Sequence, residues 1–117
     1  MSAPAVELLY WEGCPSYPEA LAQLRQALAA VGHGDVGVTV RHVGDDAQAR
    51  EERFIGSPTI RVEGVDAFPP HDGDEPGLNC RIYRLRDGRV SALPDPADIA
   101  AALAAAREGS DHGDGRS

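Results

Sequence analysis

One stretch decides the fold of this chain: residues 6–15, which read VELLYWEGCP. Its first six residues, Val6 to Trp11, are rich in apolar, aromatic and β-branched side chains, as in a buried central strand. Glu12 and Gly13 break that strand. The prolines that follow suit the first turn of a helix but not its interior. The stretch therefore predicts a strand that passes directly into a helix, with Cys14 at the helix start.

The residues after this stretch have the periodicity of an amphipathic helix. Apolar residues recur at spacings of three and four, at Leu21, Leu24, Leu28 and Val31. Gly32 and Gly34 then end the predicted helix.

Later segments alternate in the same way between strands and helices. Alternating valines predict a second strand over residues 36–41, and Asp45 or Asp46 caps a short helix that runs to about Arg53. Residues 59–62 are predicted to form a third strand and residues 80–85 a fourth. Between these two strands lies a long loop, residues 66–79, and a last helix is capped by Asp95 with Pro96 at its first position.

The resulting order, β-α-β-α-β-β-α, predicts an α/β domain with a central four-stranded mixed sheet flanked by helices. The first two strands are expected to be parallel through a right-handed crossover, and the last two to be antiparallel neighbours. The domain is expected to span residues 1–109. Residues 110–117 are polar and glycine-rich, and we expect them to be a disordered tail.

Composition narrows the classes of function. The chain has 117 residues and a net charge of −8, which disfavours binding to nucleic acid or to an anionic membrane. It has no apolar run long enough to cross a bilayer and no signal-peptide pattern, so we expect a cytoplasmic location. The four histidines lack metal-ligand spacing, and there is no glycine-rich phosphate loop. We expect no cofactor, and the oligomeric state stays open.

The chain resembles the thioredoxin and glutaredoxin superfamily, because a Cys-Pro step follows the first strand and Ser57-Pro58-Thr59 precedes the third. Four segments are also similar to a group of small bacterial thioredoxin-like proteins, some of them labelled alkylmercury lyase: EGCP at 12–15, GSPT at 56–59, GVD at 64–66 and NCRIY at 79–83. The resemblance implies a cis peptide between Ser57 and Pro58, next to the nucleophilic cysteine. It also implies that the backbone there pairs with an extended thiol substrate.

Cys14 is the candidate catalytic residue. At a helix N-terminus, unpaired N–H groups and the helix dipole favour the thiolate, which attacks disulfides and binds soft metals. The chain departs from the Cys-x-x-Cys pattern of dithiol members of the superfamily, since Tyr17 occupies the fourth position. The alternative is that Cys14 is a small buried residue without chemistry.

The role of Cys80 stays open between three interpretations. It resolves a mixed disulfide on Cys14, or is a second soft-metal ligand, or is simply buried in its strand. If residues 80–85 pair antiparallel with the third strand, the start of that strand lies far from Cys14. This topology favours the structural interpretation, unless the preceding loop folds back.

The candidate substrate-binding residues are Ser57, Pro58, Thr59, Tyr17 and Trp11. Of these, Tyr17 donates a hydrogen bond to a bound sulfur or merely packs, and core packing is the default for Trp11.

These residues support three hypotheses. The first is a thiol-dependent redox protein, a possible thiol–disulfide oxidoreductase, in which Cys14 exchanges in monothiol fashion with a partner protein or a low-molecular-weight thiol. The second is a soft-metal or organomercurial binding protein with Cys14 and Cys80 as ligands. The third is a non-catalytic binding module.

Overall fold

The computed structural model of the chain describes residues 5–14, 16–68 and 74–105. In chain order the elements are β1 (Val6–Tyr10), α1 (Tyr17–Ala30), β2 (Val38–His42), α2 (Asp46–Glu52), β3 (Thr59–Val62), β4 (Val65–Asp66), β5 (Tyr83–Arg84), β6 (Val90–Ser91) and α3 (residues 96–105). The expected tail, residues 110–117, lies outside the described residues.

A four-stranded mixed sheet with the order β2-β1-β3-β4 forms the centre of the fold. β1 is parallel to β2 and antiparallel to β3, and β3 is antiparallel to β4. Val6 stands opposite Val38 on one side and Val62 on the other, which fixes the register of the central strand. The predicted α/β class and the four-stranded mixed sheet are confirmed.

The two faces of the sheet bury different hydrophobic clusters, because side chains alternate along a strand. The larger cluster joins β1 and β3 to α1 and α3, and contains Leu8, Leu24, Ile60 and Leu103. The smaller cluster lies on the α2 side of the sheet, and contains Leu9, Val43, Ala49 and Phe54. Burial of each Leu, Ile, Val or Phe side chain in these clusters stabilises the fold by about 2 kcal/mol. β1 is thus the shared wall of both clusters.

The helix ends follow the local signals in the sequence. Asp45 caps α2 by accepting a hydrogen bond from the Gln48 N–H at 2.7 Å, and Asp95 accepts one from the Ala97 N–H at 3.0 Å. α1 ends at Ala30, with Val31 as its C-cap, and the next residue, Gly32, has a φ of 89° that few other residues adopt. The start of α1 differs from the prediction. The N-cap is Ser16, so Cys14 lies in the turn before the helix rather than at its first residue.

The predicted fourth strand is wrong. β4 is formed by Val65–Asp66, because Glu63 and Gly64 both have positive φ and make a two-residue hairpin turn. That turn brings the next residues straight back onto β3. Of residues 80–85, only Tyr83–Arg84 forms a strand, and this strand pairs with Val90–Ser91 in a separate hairpin.

Among the described residues, no helix has both the length and the apolar character needed to span a membrane.

Candidate functional site

Cys14 and Cys80 form a disulfide. Their Cα atoms are 5.6 Å apart, although 66 residues separate them in sequence. This distance lies within the usual range for a disulfide. The expectation that the two cysteines lie far apart is wrong, because Cys80 does not begin a strand on the edge of β3. Instead it forms a parallel bridge with Ser57, in the loop before β3.

Residues 77–84, here called the Cys80 segment, follow the loop before β3 through backbone hydrogen bonds. The Ser57 N–H donates to the Asn79 carbonyl at 2.8 Å, and the Arg81 N–H donates to the Ser57 carbonyl at 2.9 Å. A Cβ atom on Gly56 would lie 3.1 Å from the backbone N and Cα of Arg81. A side chain at position 56 would crowd the Arg81 backbone, so this close approach favours glycine.

Arg81 holds the Cys80 segment against the sheet. Its side chain is 9% exposed and donates to Asp66 Oδ2 at 2.9 Å, to Thr59 Oγ1 at 3.2 Å and to the Phe68 carbonyl. The guanidinium also lies 5.0 Å from the centre of the Tyr83 ring. A buried charge with this many partners is compensated, so Arg81 is a structural anchor.

Tyr83 provides a second anchor, on the proline that precedes β3. Its hydroxyl donates to the Pro58 carbonyl, and its ring packs edge-on against Phe68. Burial raises the pKa of the Tyr83 phenol well above its ordinary value, so the hydroxyl remains a neutral donor. The Ser57–Pro58 peptide is cis, as predicted. Thr59 contributes by donating to the Gly56 carbonyl at 2.6 Å, which fixes the turn that carries Ser57.

Cys14 is held on the other side, by the end of β1. Its N–H donates to the Trp11 carbonyl at 3.0 Å, and its side chain is buried, with 1% exposure. The Trp11 indole covers Gly13, where a Cβ atom would meet the ring at 2.5 Å. Trp11 packs against the smaller cluster, and Tyr17 stacks on Tyr10 with ring centroids 4.0 Å apart. Trp11 and Tyr17 thus both make packing contacts beside the disulfide.

A cleft of about 650 Å³ opens beside the disulfide. Its described wall includes Cys80, and it is lined by apolar groups of Ile55, Phe68 and Tyr83. Cys80 itself is exposed, whereas Cys14 is buried. The two sulfurs therefore differ in their access to a ligand.

The described residues contain no group of three or more His, Cys, Asp or Glu side chains arranged to hold a metal. A metal at this site would rest on the two cysteines. Sequence reasoning singled out both cysteines, Ser57, Pro58 and Thr59, and the structure brings these five together. It missed Arg81 and Tyr83, although the adjacent motif NCRIY contains both.

Comparison with known proteins finds no matching protein-family model, no matching curated protein and no matching solved structure.

Proposed function

We propose that the protein is a thioredoxin-like thiol–disulfide exchange protein whose redox couple is Cys14 and Cys80. The observation that carries the proposal is the convergence of the only two cysteines of the chain, one buried and one exposed, beside an open cleft. In a reducing cytoplasm, the location expected from the sequence, disulfides are usually catalytic or redox-sensing rather than structural.

Cys80 takes the place of the thiol that is missing from the sequence CPSY at 14–17. The monothiol form of the hypothesis assumed that no second thiol reaches Cys14. With Cα atoms 5.6 Å apart, the pair supports a dithiol exchange instead. The partner is a thiol-containing protein or a low-molecular-weight thiol, and two such thiols are oxidised for each protein disulfide reduced.

The loop before β3 supports this role by positioning Cys80. The N–H and C=O of Ser57, which the family resemblance assigns to an extended substrate, bind Asn79 and Arg81 of the same chain. This pairing presents Cys80 to Cys14 much as an extended substrate would present its own sulfur. Cys14 lies just before the N-terminus of α1, where unpaired N–H groups favour a thiolate.

Turnover of a small disulfide tests the proposal. The rate at which cysteamine reduces hydroxyethyl disulfide would be measured with wild-type protein, with Cys14→Ala and with Cys80→Ser. Alanine is used at position 14 because a serine hydroxyl would be buried there. We expect acceleration by the wild type and at least about a tenfold loss in each variant. Equal rates for all three proteins would contradict the proposal and favour a non-catalytic binding module.

A second candidate function is binding of a soft cation such as Cu(I) or Hg(II) by the reduced pair. It is favoured by two converging sulfurs with no third ligand among the described residues, an arrangement that suits two-coordinate thiolate binding. Titration of the reduced protein with Cu(I) is expected to give one bound ion, lost in both Cys14→Ala and Cys80→Ser. Binding that survives the loss of Cys80 would contradict the two-thiolate site.

A further inference from the structure

The two sulfurs of the disulfide are not equally accessible. In thiol–disulfide exchange a thiolate attacks one sulfur and expels the other, so access decides which sulfur is attacked. Cys14, in the turn before α1, is 1% exposed, whereas Cys80 is exposed. An incoming thiolate therefore meets Cys80 first.

The cleft beside Cys80 has the dimensions of a small-molecule site. Its volume of about 650 Å³ lies within the usual range for ligand pockets. Cys80 belongs to its wall, and Cys14 is not among its described lining residues. Ile55, Phe68 and Tyr83 supply an apolar surface on which the carbon skeleton of a thiol can rest.

From these observations we infer that the cleft binds the incoming thiol and that Cys80, not Cys14, carries the mixed disulfide. This inference rests on the proposed exchange function. It assigns Cys14 a role opposite to the one expected from the sequence, in which Cys14 is the attacking thiol.

The step balances as follows. A thiolate RS⁻ attacks Sγ of Cys80, the bond between Cys80 and Cys14 breaks, and its electron pair leaves on Cys14 as a thiolate. A second RS⁻ attacks the R-group sulfur of the mixed disulfide, which releases RSSR and the Cys80 thiolate. Two thiols are oxidised and the protein disulfide is reduced by two electrons. In the reverse direction Cys80 attacks RSSR, and Cys14 then attacks Sγ of Cys80 to expel the second RS⁻.

The charges around the cleft indicate the class of thiol. The described lining carries the carboxylates Glu75 and Asp95, together with the guanidiniums of Arg81 and Arg84. Arg81 is paired with Asp66 at 2.9 Å, and the whole chain has a net charge of −8, so the field around the cleft favours cations. The cleft therefore suits an uncharged or cationic low-molecular-weight thiol.

Mapping of the mixed disulfide tests the inference on the wild-type protein. The oxidised protein would be mixed with cysteamine, quenched with acid at short times, alkylated and cleaved after arginine. Cys14 then lies in residues 1–25 and Cys80 in residues 62–81, so mass spectrometry separates the two adducts. We expect the cysteamine adduct on residues 62–81 in about tenfold excess. A predominant or equal adduct on residues 1–25 would overturn this inference but not the exchange function.

Single-cysteine variants give a second readout that does not depend on the lifetime of the intermediate. In folded protein, the thiol of Cys14→Ala, which keeps Cys80, is expected to react with iodoacetamide about tenfold faster than that of Cys80→Ser, which keeps Cys14. Equal or reversed rates would contradict the assignment. If cysteamine neither forms an adduct nor reduces the wild-type disulfide, the proposed function itself fails, and the inference fails with it.

Discussion

The two cysteines of the disulfide are held by different kinds of structure. Cys14 follows β1, the shared wall of both hydrophobic clusters; it is 1% exposed, and its N–H donates to the Trp11 carbonyl. Cys80 lies in a segment held by directional polar contacts: two backbone hydrogen bonds to Ser57, the Arg81 guanidinium and the Tyr83 hydroxyl.

This difference indicates which of the two cysteines moves when the disulfide is reduced. Hydrophobic burial does not depend on the oxidation state, so Cys14 is expected to keep its position after reduction. The Cys80 segment loses a covalent link and is then held by the Arg81–Asp66 ion pair and by a few hydrogen bonds, each with a net contribution of about 1 kcal/mol. We expect local opening of this segment, not of the sheet, when the disulfide is reduced.

Removal of the Arg81 side chain is expected to have the largest effect on the Cys80 segment. Arg81→Ala leaves the half-buried Asp66 carboxylate, among the described residues, without a countercharge and with only the Phe68 N–H as donor, and we expect the free energy of unfolding to fall by about 3 kcal/mol. Denaturant unfolding measures the loss. The matched control is Arg25→Ala, at an exposed position in α1, with an expected change of less than about 0.5 kcal/mol. Similar losses in both variants would show that Arg81 is not an anchor.

The close approach of Gly56 to Arg81 gives a second test. In Gly56→Ala the new Cβ atom meets the Arg81 backbone at 3.1 Å, which displaces the Cys80 segment and costs about 2 kcal/mol. Reoxidation of the reduced protein is expected to slow as well. Gly37→Ala is the control, since no atom lies within 4 Å of its added Cβ. The comparison would be wrong if both variants reoxidise at the wild-type rate.

The hydroxyl of Tyr83 is expected to have a smaller effect. Tyr83→Phe leaves the Pro58 carbonyl without its donor and costs about 1–2 kcal/mol near pH 7. Because burial raises the pKa of Tyr83 above its ordinary value of 10.0, its contribution is complete below pH 10 and is lost as the pH rises further. The free energy of unfolding, measured at several alkaline pH values, should therefore depend less on pH in the variant than in the wild type. An equal pH dependence in the two proteins would show that the Tyr83 hydroxyl is not its cause.

The ion pairs of Glu52 test the other half of the comparison, the central sheet. Its carboxylate accepts from Arg41 and from Arg61, and the hydrogen bond from Arg41 is the main cause that holds the pKa of Glu52 below its ordinary value of 4.5. Its contribution is present above pH 4.5 and is lost as the pH falls through the lower value. Glu52→Gln is expected to cost about 1 kcal/mol or less at pH 7 and to flatten the acid limb. The cysteines of Glu52→Gln should react at the wild-type rate. A changed rate would show that the two regions are coupled.

The smallest expected effect concerns the charge of the thiol. After correction for thiolate concentration, cysteamine should reduce the disulfide a few-fold faster than 2-mercaptoethanesulfonate at low salt, because the carboxylates of Glu75 and Asp95 and the net charge of −8 attract a cation. The ratio should shrink as salt screens these charges. A preference for the anionic thiol would contradict the proposed substrate class.

Local signals in the sequence predict most of the layered core. The apolar run at 6–11, the leucine periodicity of α1 and the caps at Asp45 and Asp95 each act within a few residues, so their structure follows from the chain itself. The sequence predicts the turn at Glu63–Gly64, but the strand after it has only two residues and too little pattern to be recognised.

The proximity of Cys14 and Cys80 could not be predicted in this way. It depends on backbone pairing between Ser57 and the Cys80 segment, and backbone groups are the same for every residue type. Two signals were present. Gly56 marks a close backbone approach, and Arg81 is a lone charge in an apolar run, which calls for a buried partner such as Asp66.

Titration of the folded protein against mixtures of reduced and oxidised dithiothreitol, with free thiols counted by mass after acid quench and alkylation, tests the central claim most directly. If Cys14 and Cys80 are a redox couple, both thiols will appear together in one reversible two-electron transition, while the far-ultraviolet circular dichroism of the sheet and helices is retained. If the thiols appear only under conditions that unfold the protein, the disulfide is a structural link and the account is wrong.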